Sequence, residues 1–75
     1  MIRFLIMAGT AKQAKSIADH MGLQPSEWKY VSEWSDLFAL RGLVMLMCGT
    51  WEKRQDAREI FNMAQQRDMR LLYIN

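Results

Sequence analysis

The stretch LIMAGT at residues 5–10 is repeated as MLMCGT at residues 45–50, forty positions further along the chain. Each copy is an apolar run followed by a small residue and then Gly-Thr. Apolar runs without alternating polar residues are typical of strands that are buried on both faces of a parallel sheet. The repeat therefore predicts two buried parallel strands, each ending in a turn that leads into a helix.

Two further strands are predicted outside the repeat. The apolar runs around the two copies set the first strand at residues 2–8 and the third at 43–48. The sequence WKYV at residues 28–31 indicates a weaker second strand, and LLYI at residues 71–74 indicates a fourth. β-Branched and aromatic residues are common in both segments, as is usual in strands.

The segments between the strands have a helical period. Small and apolar residues recur on one face at positions 11, 14, 18 and 21, and again at 57, 60, 61 and 64. Thr10 with Gln13, and Asp56 with Glu59, predict a capping box at the start of each helix. Gly22 predicts the end of the first helix.

A third, shorter helix is predicted from Glu33 to Leu40, ended by Gly42. Strands and helices then alternate as β-α-β-α-β-α-β, an order that favours a parallel sheet with right-handed crossovers. We predict a single α/β domain over residues 1–75: a minimal Rossmann-like or flavodoxin-like three-layer fold, with four parallel strands in the order 2-1-3-4 and three helices. Because one of its faces holds only the first helix, strands three and four are expected to be bare there.

Composition excludes several classes of protein. The chain has 75 residues, 51% of them hydrophobic, and a formal charge of +2. This composition excludes disorder, and the small charge argues against nucleic acid as a partner. One cysteine and one histidine exclude an internal disulfide and a cysteine zinc site. Residues 1–9 lack a signal-peptide cleavage pattern, and no apolar run is long enough for a membrane span. We expect a cytoplasmic protein without membrane contact.

The two Gly-Thr turns form a candidate anion site. In a 2-1-3-4 sheet the two repeat strands are neighbours, so their turns lie side by side at the point where such sheets bind ligands. Backbone N–H groups, hydroxyls and a helix N-terminus there suit a phosphate or a carboxylate. The predicted ligand-binding residues are Gly9, Thr10, Lys12, Gly49 and Thr50. The alternative is that both turns are purely structural, since neither matches a Walker or a dinucleotide-binding motif.

A second candidate site binds a protein partner. Trp51 stands beside Lys53 and Arg54 in a segment that is predicted to be an extended loop, and Trp and Arg are enriched at binding hot spots. The fourth strand is expected at an edge of the sheet, where it can pair with another chain. The predicted partner-binding residues are Trp51, Lys53, Arg54, Leu71 and Tyr73. In the alternative interpretation, Trp51 folds back over the edge of the sheet.

Catalytic residues are not indicated. His20 and Cys48 are expected at opposite ends of the sheet, so they do not form a nucleophile–base pair. Cys48 takes the place of Ala8 in the repeat and is interpreted as a small buried residue, although nearby helix N-termini would lower the pKa of its thiol. The acidic residues have neither metal-site spacing nor an evident cleft. We therefore expect no enzyme activity, no cofactor and no metal.

The pattern as a whole resembles very small Rossmann-like accessory proteins of bacteriophages, a class without an established activity. The resemblance spans nearly the whole chain. It rests on Gly9-Thr10, Ala14, Gly22-Leu23, Trp28-Lys29-Tyr30-Val31, Leu40-Arg41-Gly42-Leu43, Gly49-Thr50-Trp51 and Asp56-Ala57. It implies an accessory phage product that acts on a host or phage protein in a bacterial cytoplasm, and it supplies no catalytic residues.

Two functions follow from these patterns. The first is a non-enzymatic protein–protein interaction module that forms a homo-oligomer, because the apolar surface exceeds what so small a domain can bury. The second is a small nucleotide- or phosphate-binding protein that uses the paired Gly-Thr turns.

Overall fold

A four-stranded parallel sheet forms the centre of the computed structural model, which describes residues 1–74. Its strands are β1 (Phe4–Met7), β2 (Trp28–Tyr30), β3 (Val44–Met47) and β4 (Arg70–Tyr73), in the order β2-β1-β3-β4. The predicted α/β class, parallel pairing and strand order are confirmed. The first three strands are shorter than their predicted runs, and β4 is shifted by one residue, from 71–74 to Arg70–Tyr73.

Two α-helices connect strands of this sheet. Helix α1 (Ala11–Met21) lies between β1 and β2, and helix α2 (Ala57–Gln66) lies between β3 and β4. The Thr10 hydroxyl caps α1 by accepting the N–H of Gln13, as the capping pattern predicts. Gly22 ends α1 in the left-handed region at φ +72°, where a residue without a side chain is favoured.

The predicted third helix is wrong. Of residues 33–40, only Trp34–Leu37 form a single 3-10 turn. The Asp36 carboxylate accepts the backbone N–H groups of Ser32 and Glu33, which closes the turn locally. A single turn gains few of the hydrogen bonds that make a longer helix stable, and the chain then leaves it to reach β3.

The segment after the second Gly-Thr also differs from its prediction. The expected extended loop contains a second 3-10 turn, Trp51–Lys53, before α2 begins. In this turn the backbone N–H of Lys53 donates to the Thr50 carbonyl oxygen at 3.0 Å, and that of Arg54 donates to the Trp51 carbonyl oxygen at 3.2 Å. The turn fixes the positions from which the Trp51 and Arg54 side chains extend.

The sheet separates two apolar cores. On the α2 side, the inward-facing residues of β1 and β3 are fully buried beneath Ile60 and Ala64 of α2 and Leu37 of the first 3-10 turn. On the other side, Ala14 and Ala18 of α1 pack with the opposite faces of the same two strands. The alternation of side chains along each strand distributes the apolar runs between both cores.

The face that α1 covers is better protected than the topology alone predicts. Leu46 and Cys48, at β3 and just beyond its end, are 0% and 1% exposed, so β3 is not bare on this side. The alanines of α1 have short side chains, which allow close packing of the helix on the sheet. The exposed apolar surface on this face instead lies on β4, where Leu72 is 51% exposed.

The Asp36 carboxylate provides a pH-dependent test of this fold. Partial burial raises its pKa, but hydrogen bonds from Ser32 and Glu33 and the charge of Lys29 outweigh burial, so the pKa lies below its ordinary value of 3.8. A lowered pKa in the folded state means that the stabilisation is complete above the unfolded-state pKa and is lost as the pH falls through the folded-state pKa.

We therefore expect Asp36→Asn to lower the free energy of unfolding by about 1–2 kcal/mol at neutral pH, because three hydrogen bonds lose their charged acceptor and the ion pair with Lys29 is lost. The difference from the wild type should vanish once the pH falls below the folded-state pKa. Urea unfolding at a series of pH values measures it. A difference that is independent of pH would contradict this role for the carboxylate.

Candidate functional site

The two Gly-Thr turns meet at one end of the sheet, as predicted. β1 and β3 pair in register, with Met7 opposite Met47, so both strands enter their turns at the same edge. The side-chain oxygen of Gln13, Oε1, lies between the turns. It accepts the Gly9 N–H at 2.9 Å, the Thr50 N–H at 3.1 Å and the Thr50 hydroxyl at 3.3 Å. Three donors from two turns thus converge on one oxygen atom.

Close packing around Gln13 explains both glycines of the repeat. A Cβ atom on Gly9 would lie 1.9 Å from the Thr50 hydroxyl oxygen, and one on Gly49 would lie 2.3 Å from Gln13 Oε1. Gly49 also has a φ of +62°, which disfavours other residues. These contacts account for Gly-Thr in both copies without a ligand.

Most of the candidate anion-binding residues already have partners within the protein. Gly9 and Thr50 already donate to Gln13, and Thr10 already caps α1. Lys12 is exposed on the first turn of α1. The capping pattern indicated Gln13 as an acceptor of the Thr10 backbone N–H, but not that its side chain accepts from Gly9 and Thr50 instead. Over residues 1–74 no ligand-sized cavity is found.

A substitution at Gln13 measures how strongly these donors attract negative charge. Gln13→Glu should raise the free energy of unfolding by about 0.5–1 kcal/mol at neutral pH, because a carboxylate is favoured both at a helix N-terminus and opposite three donors. The gain should disappear as the pH falls through the folded-state pKa of the new carboxylate, since these donors lower that pKa.

The control is Gln13→Leu, which leaves the same donors without an acceptor and should cost about 1–2 kcal/mol. Urea unfolding of both variants at neutral and acidic pH gives the two values. If Gln13→Glu were less stable than the wild type at neutral pH, the donors would not favour an anion.

Arg54 lies inside the molecule, although it was predicted to face a partner. Its side chain is 10% exposed. Its guanidinium group donates to the carbonyl oxygens of Ala8 at 3.0 Å, Val31 at 2.8 Å and Ser32 at 2.9 Å. It also stacks over the Tyr30 ring, with 5.6 Å between the guanidinium carbon and the ring centroid. These contacts join the ends of β1 and β2.

The remaining guanidinium N–H groups bind the carboxylate of Asp56. Nε and one terminal nitrogen of Arg54 donate to its two oxygens at 2.9 and 3.0 Å. The prediction that Asp56 caps α2 with its side chain is wrong, because this carboxylate makes no cap hydrogen bond. All five N–H groups of Arg54 are therefore used within the fold, which indicates an organising role for Arg54.

Removing Arg54 should strongly destabilise the fold. Arg54→Met leaves two partly buried carbonyl oxygens and the Asp56 carboxylate without their donor, and we expect it to lower the free energy of unfolding by about 3 kcal/mol. Arg58→Met, on the exposed surface of α2, is the matched control and should change stability by less than about 0.5 kcal/mol. Equal losses in urea unfolding would contradict the organising role.

Trp51 and Tyr73 form an aromatic pair beside β4. Their ring centroids are 5.8 Å apart at an interplanar angle of 50°. Trp51 is half-buried against the α2-side core, so the alternative interpretation, that Trp51 folds back towards the sheet edge, describes its position. Tyr73 is 57% exposed, and Lys53 is also exposed. Of the predicted partner-binding residues, Tyr73 is the exposed aromatic one, whereas Trp51 and Leu71 are partly buried.

The outer edge of β4 is open. The N–H groups of Arg70 and Ile74 donate inward, to the carbonyl oxygens of Leu43 at 2.9 Å and Met47 at 2.8 Å. Because donors alternate in direction along a strand, the N–H and C=O groups of Leu71 and Tyr73 point away from β3. These are the two residues of this strand that were predicted to contact a partner.

The opposite edge is formed by the three residues of β2. Its central residue is Lys29, whose ammonium group lies 3.7 Å from the Asp36 carboxylate. A lysine on an edge strand disfavours pairing with another chain. In contrast, β4 has a charge only at its first residue, Arg70. The two edges therefore differ in their suitability for strand pairing.

One exposed aromatic cluster was not predicted. Trp34 and Phe38, which are 42% and 62% exposed, pack edge to face with 6.0 Å between their centroids. The Arg67 guanidinium lies over the Phe38 ring and donates to the Phe38 carbonyl oxygen. The sequence analysis placed both residues in a helix and therefore did not predict that they are exposed. In the structure Trp34 begins the 3-10 turn and Phe38 follows it.

The reactive side chains Cys48 and His20 do not form a catalytic site in the described part of the chain. Cys48 is buried, and burial raises the pKa of its thiol, contrary to the expected lowering by helix N-termini. His20 is exposed in the last turn of α1.

Within the described residues, no three His, Cys, Asp or Glu side chains are grouped so that they could hold a metal ion. In the same part of the chain, no helix has the length and apolar character to cross a membrane.

Over residues 1–74 the structure thus defines an α/β protein with a four-stranded parallel sheet and two α-helices, in which β2 and β4 form the two edges of the sheet. No protein-family model, curated protein or solved structure matches the chain.

Proposed function

We propose that this protein is a non-enzymatic protein–protein interaction module that pairs the open edge of β4 with an extended strand of a partner. The observation that carries this proposal is the coincidence of outward backbone groups and exposed apolar side chains on one short strand. Leu71 and Tyr73 offer the backbone groups, and Leu72 and Tyr73 are 51% and 57% exposed.

The chemistry of strand addition fits this edge. Backbone hydrogen bonds supply affinity, and the alternating side chains contact the partner on both faces of the extended sheet. On one face Leu72 contributes apolar surface. On the other face, Tyr73 contributes a ring that Trp51 holds in place at 5.8 Å between centroids. A partner strand that covered these groups would remove them from water, which is favourable in proportion to the apolar area buried.

The resemblance to small Rossmann-like bacteriophage proteins implies a phage or host protein in a bacterial cytoplasm as the class of partner. Trp51 takes part as the residue that supports Tyr73, and Arg54 takes part indirectly, by fixing the turn that carries Trp51. Lys53 lies exposed beside them, where it can meet an acidic group on a partner.

Nucleotide or phosphate binding at the Gly-Thr turns is the second candidate function. The observation that favours it is the convergence of three donors on one point. For an anion to use these donors, the Gln13 side chain has to leave them and lose three hydrogen bonds. The strand edge needs no such rearrangement, and the interaction module is therefore the first proposal.

The test exchanges exposed apolar residues for lysine at two places. Leu72→Lys puts a charge on the open edge and should abolish partner binding. Met21→Lys is the matched control, because Met21 is also exposed, at 42%, but lies at the end of α1. Light scattering of the purified proteins reports self-association, and immobilised proteins report binding of components from a bacterial extract. Circular dichroism verifies that both variants fold.

The expected result is that the partner seen with the wild type, either a second copy or an extract protein, is lost with Leu72→Lys and kept with Met21→Lys. If the wild type and both variants behaved alike in both measurements, the β4 edge would not be the binding surface.

A further inference from the structure

We propose that the strand that pairs with β4 is the β4 of a second copy of this chain, antiparallel to it and with Leu72 of both copies on a two-fold axis. This inference rests on the proposed function and names its partner. The resulting dimer has one continuous sheet of eight strands.

The directions of the backbone groups determine the register. In an antiparallel ladder, outward-pointing residues of one strand exchange hydrogen bonds with those of the other. The outward-pointing residues of β4 are Leu71 and Tyr73. When Leu71 of each copy lies opposite Tyr73 of the other, all of their outward N–H and C=O groups are paired across the edge. This register places Leu72 opposite its own counterpart.

The side chains agree with this register on both faces. Leu72 of both copies lies on the α1 side of the sheet, in a pair whose Cβ atoms are about 4.5–5.5 Å apart in such ladders. On the α2 side, each Tyr73 lies beside Leu71 of the other copy and keeps Trp51 at its back. On both faces of the sheet, the exposed apolar side chains of β4 thus contact apolar side chains of β4 in the second copy.

Charge favours the antiparallel arrangement. Arg70 is the charged residue of β4, and in this register the two copies of Arg70 are separated by four strand positions, about 14 Å at about 3.4 Å per residue. That distance exceeds the screening length of about 8 Å at physiological ionic strength. A parallel pairing in register would instead place the two guanidinium groups on adjacent strands, about 5 Å apart between backbones.

The same geometry disfavours self-pairing at the other edge. In β2 the N–H of Val31 donates inward to the Ile6 carbonyl oxygen at 2.9 Å, so Trp28 and Tyr30 are the outward-pointing residues. The equivalent two-fold register would place Lys29 directly opposite Lys29 of the second copy, and like charges in that position are destabilising. Self-pairing is therefore selective for β4, and the assembly closes as a dimer.

Disulfide trapping tests both the partner and the register. The native thiol is first removed with Cys48→Ala, a change to the residue that occupies the same place in the first copy of the repeat. Leu72→Cys in this background should form a dimer of twice the monomer mass on mild oxidation, because the two sulfur-bearing residues face each other. Arg70→Cys is the control on the same face, since its separation of about 14 Å is too long for a disulfide.

The outcomes separate this inference from the proposed function. The inference is supported if light scattering shows a wild-type dimer and Leu72→Cys cross-links while Arg70→Cys does not. Equal cross-linking of the two variants would overturn the register. A wild type that stays monomeric at all concentrations would overturn the second copy as partner, and the interaction module would still stand if Leu72→Lys abolished binding of an extract protein. A dimer that Leu72→Lys left intact would overturn both proposals.

Discussion

The structure at the carboxyl end of the sheet depends on the hydrogen bonds that the guanidinium group of Arg54 donates. It joins the end of β1 through Ala8, the segment after β2 through Val31 and Ser32, and the start of α2 through Asp56. Parallel strands have no hairpins to hold neighbouring ends together, so an interaction of this kind does that work. The position of Trp51, and through it that of Tyr73, follows from the same segment.

Strand order and strand direction could be predicted from the sequence because they depend on patterns that are visible along the chain. The repeated apolar runs with Gly-Thr identify two central strands, and the helical period between strands requires crossovers. Residues 33–40 could not be assigned correctly in this way. Their apolar residues have helical spacing, but the Asp36 carboxylate closes one short turn, and the spacing alone does not reveal that hydrogen bond.

The candidate sites were predictable to different degrees for a similar reason. Leu71 and Tyr73 were assigned to an open edge because edge position follows from strand order. The roles of Arg54 and Gln13 were harder to predict, because their partners are backbone atoms of distant segments. No residue pattern in the sequence shows which backbone carbonyl or N–H group will need a side-chain partner. Arg54 was predicted to contact a partner and Gln13 to take part in a capping box, whereas in the structure both side chains bond to backbone groups of distant segments.

The pairing of β1 with β3 also affects how quickly the chain can fold. Phe4 pairs with Val44, so the central ladder joins segments forty residues apart. Closing so long a loop costs conformational entropy before the hydrogen bonds of the ladder can stabilise it. Topologies rich in such contacts therefore fold more slowly than helical domains of equal size. Val44 pairs with Arg70, only 26 residues further on, so the β3–β4 ladder closes a shorter loop than the central ladder does. Until the central ladder forms, the apolar runs of β1 and β3 stay exposed, which favours association between unfolded chains at high concentration.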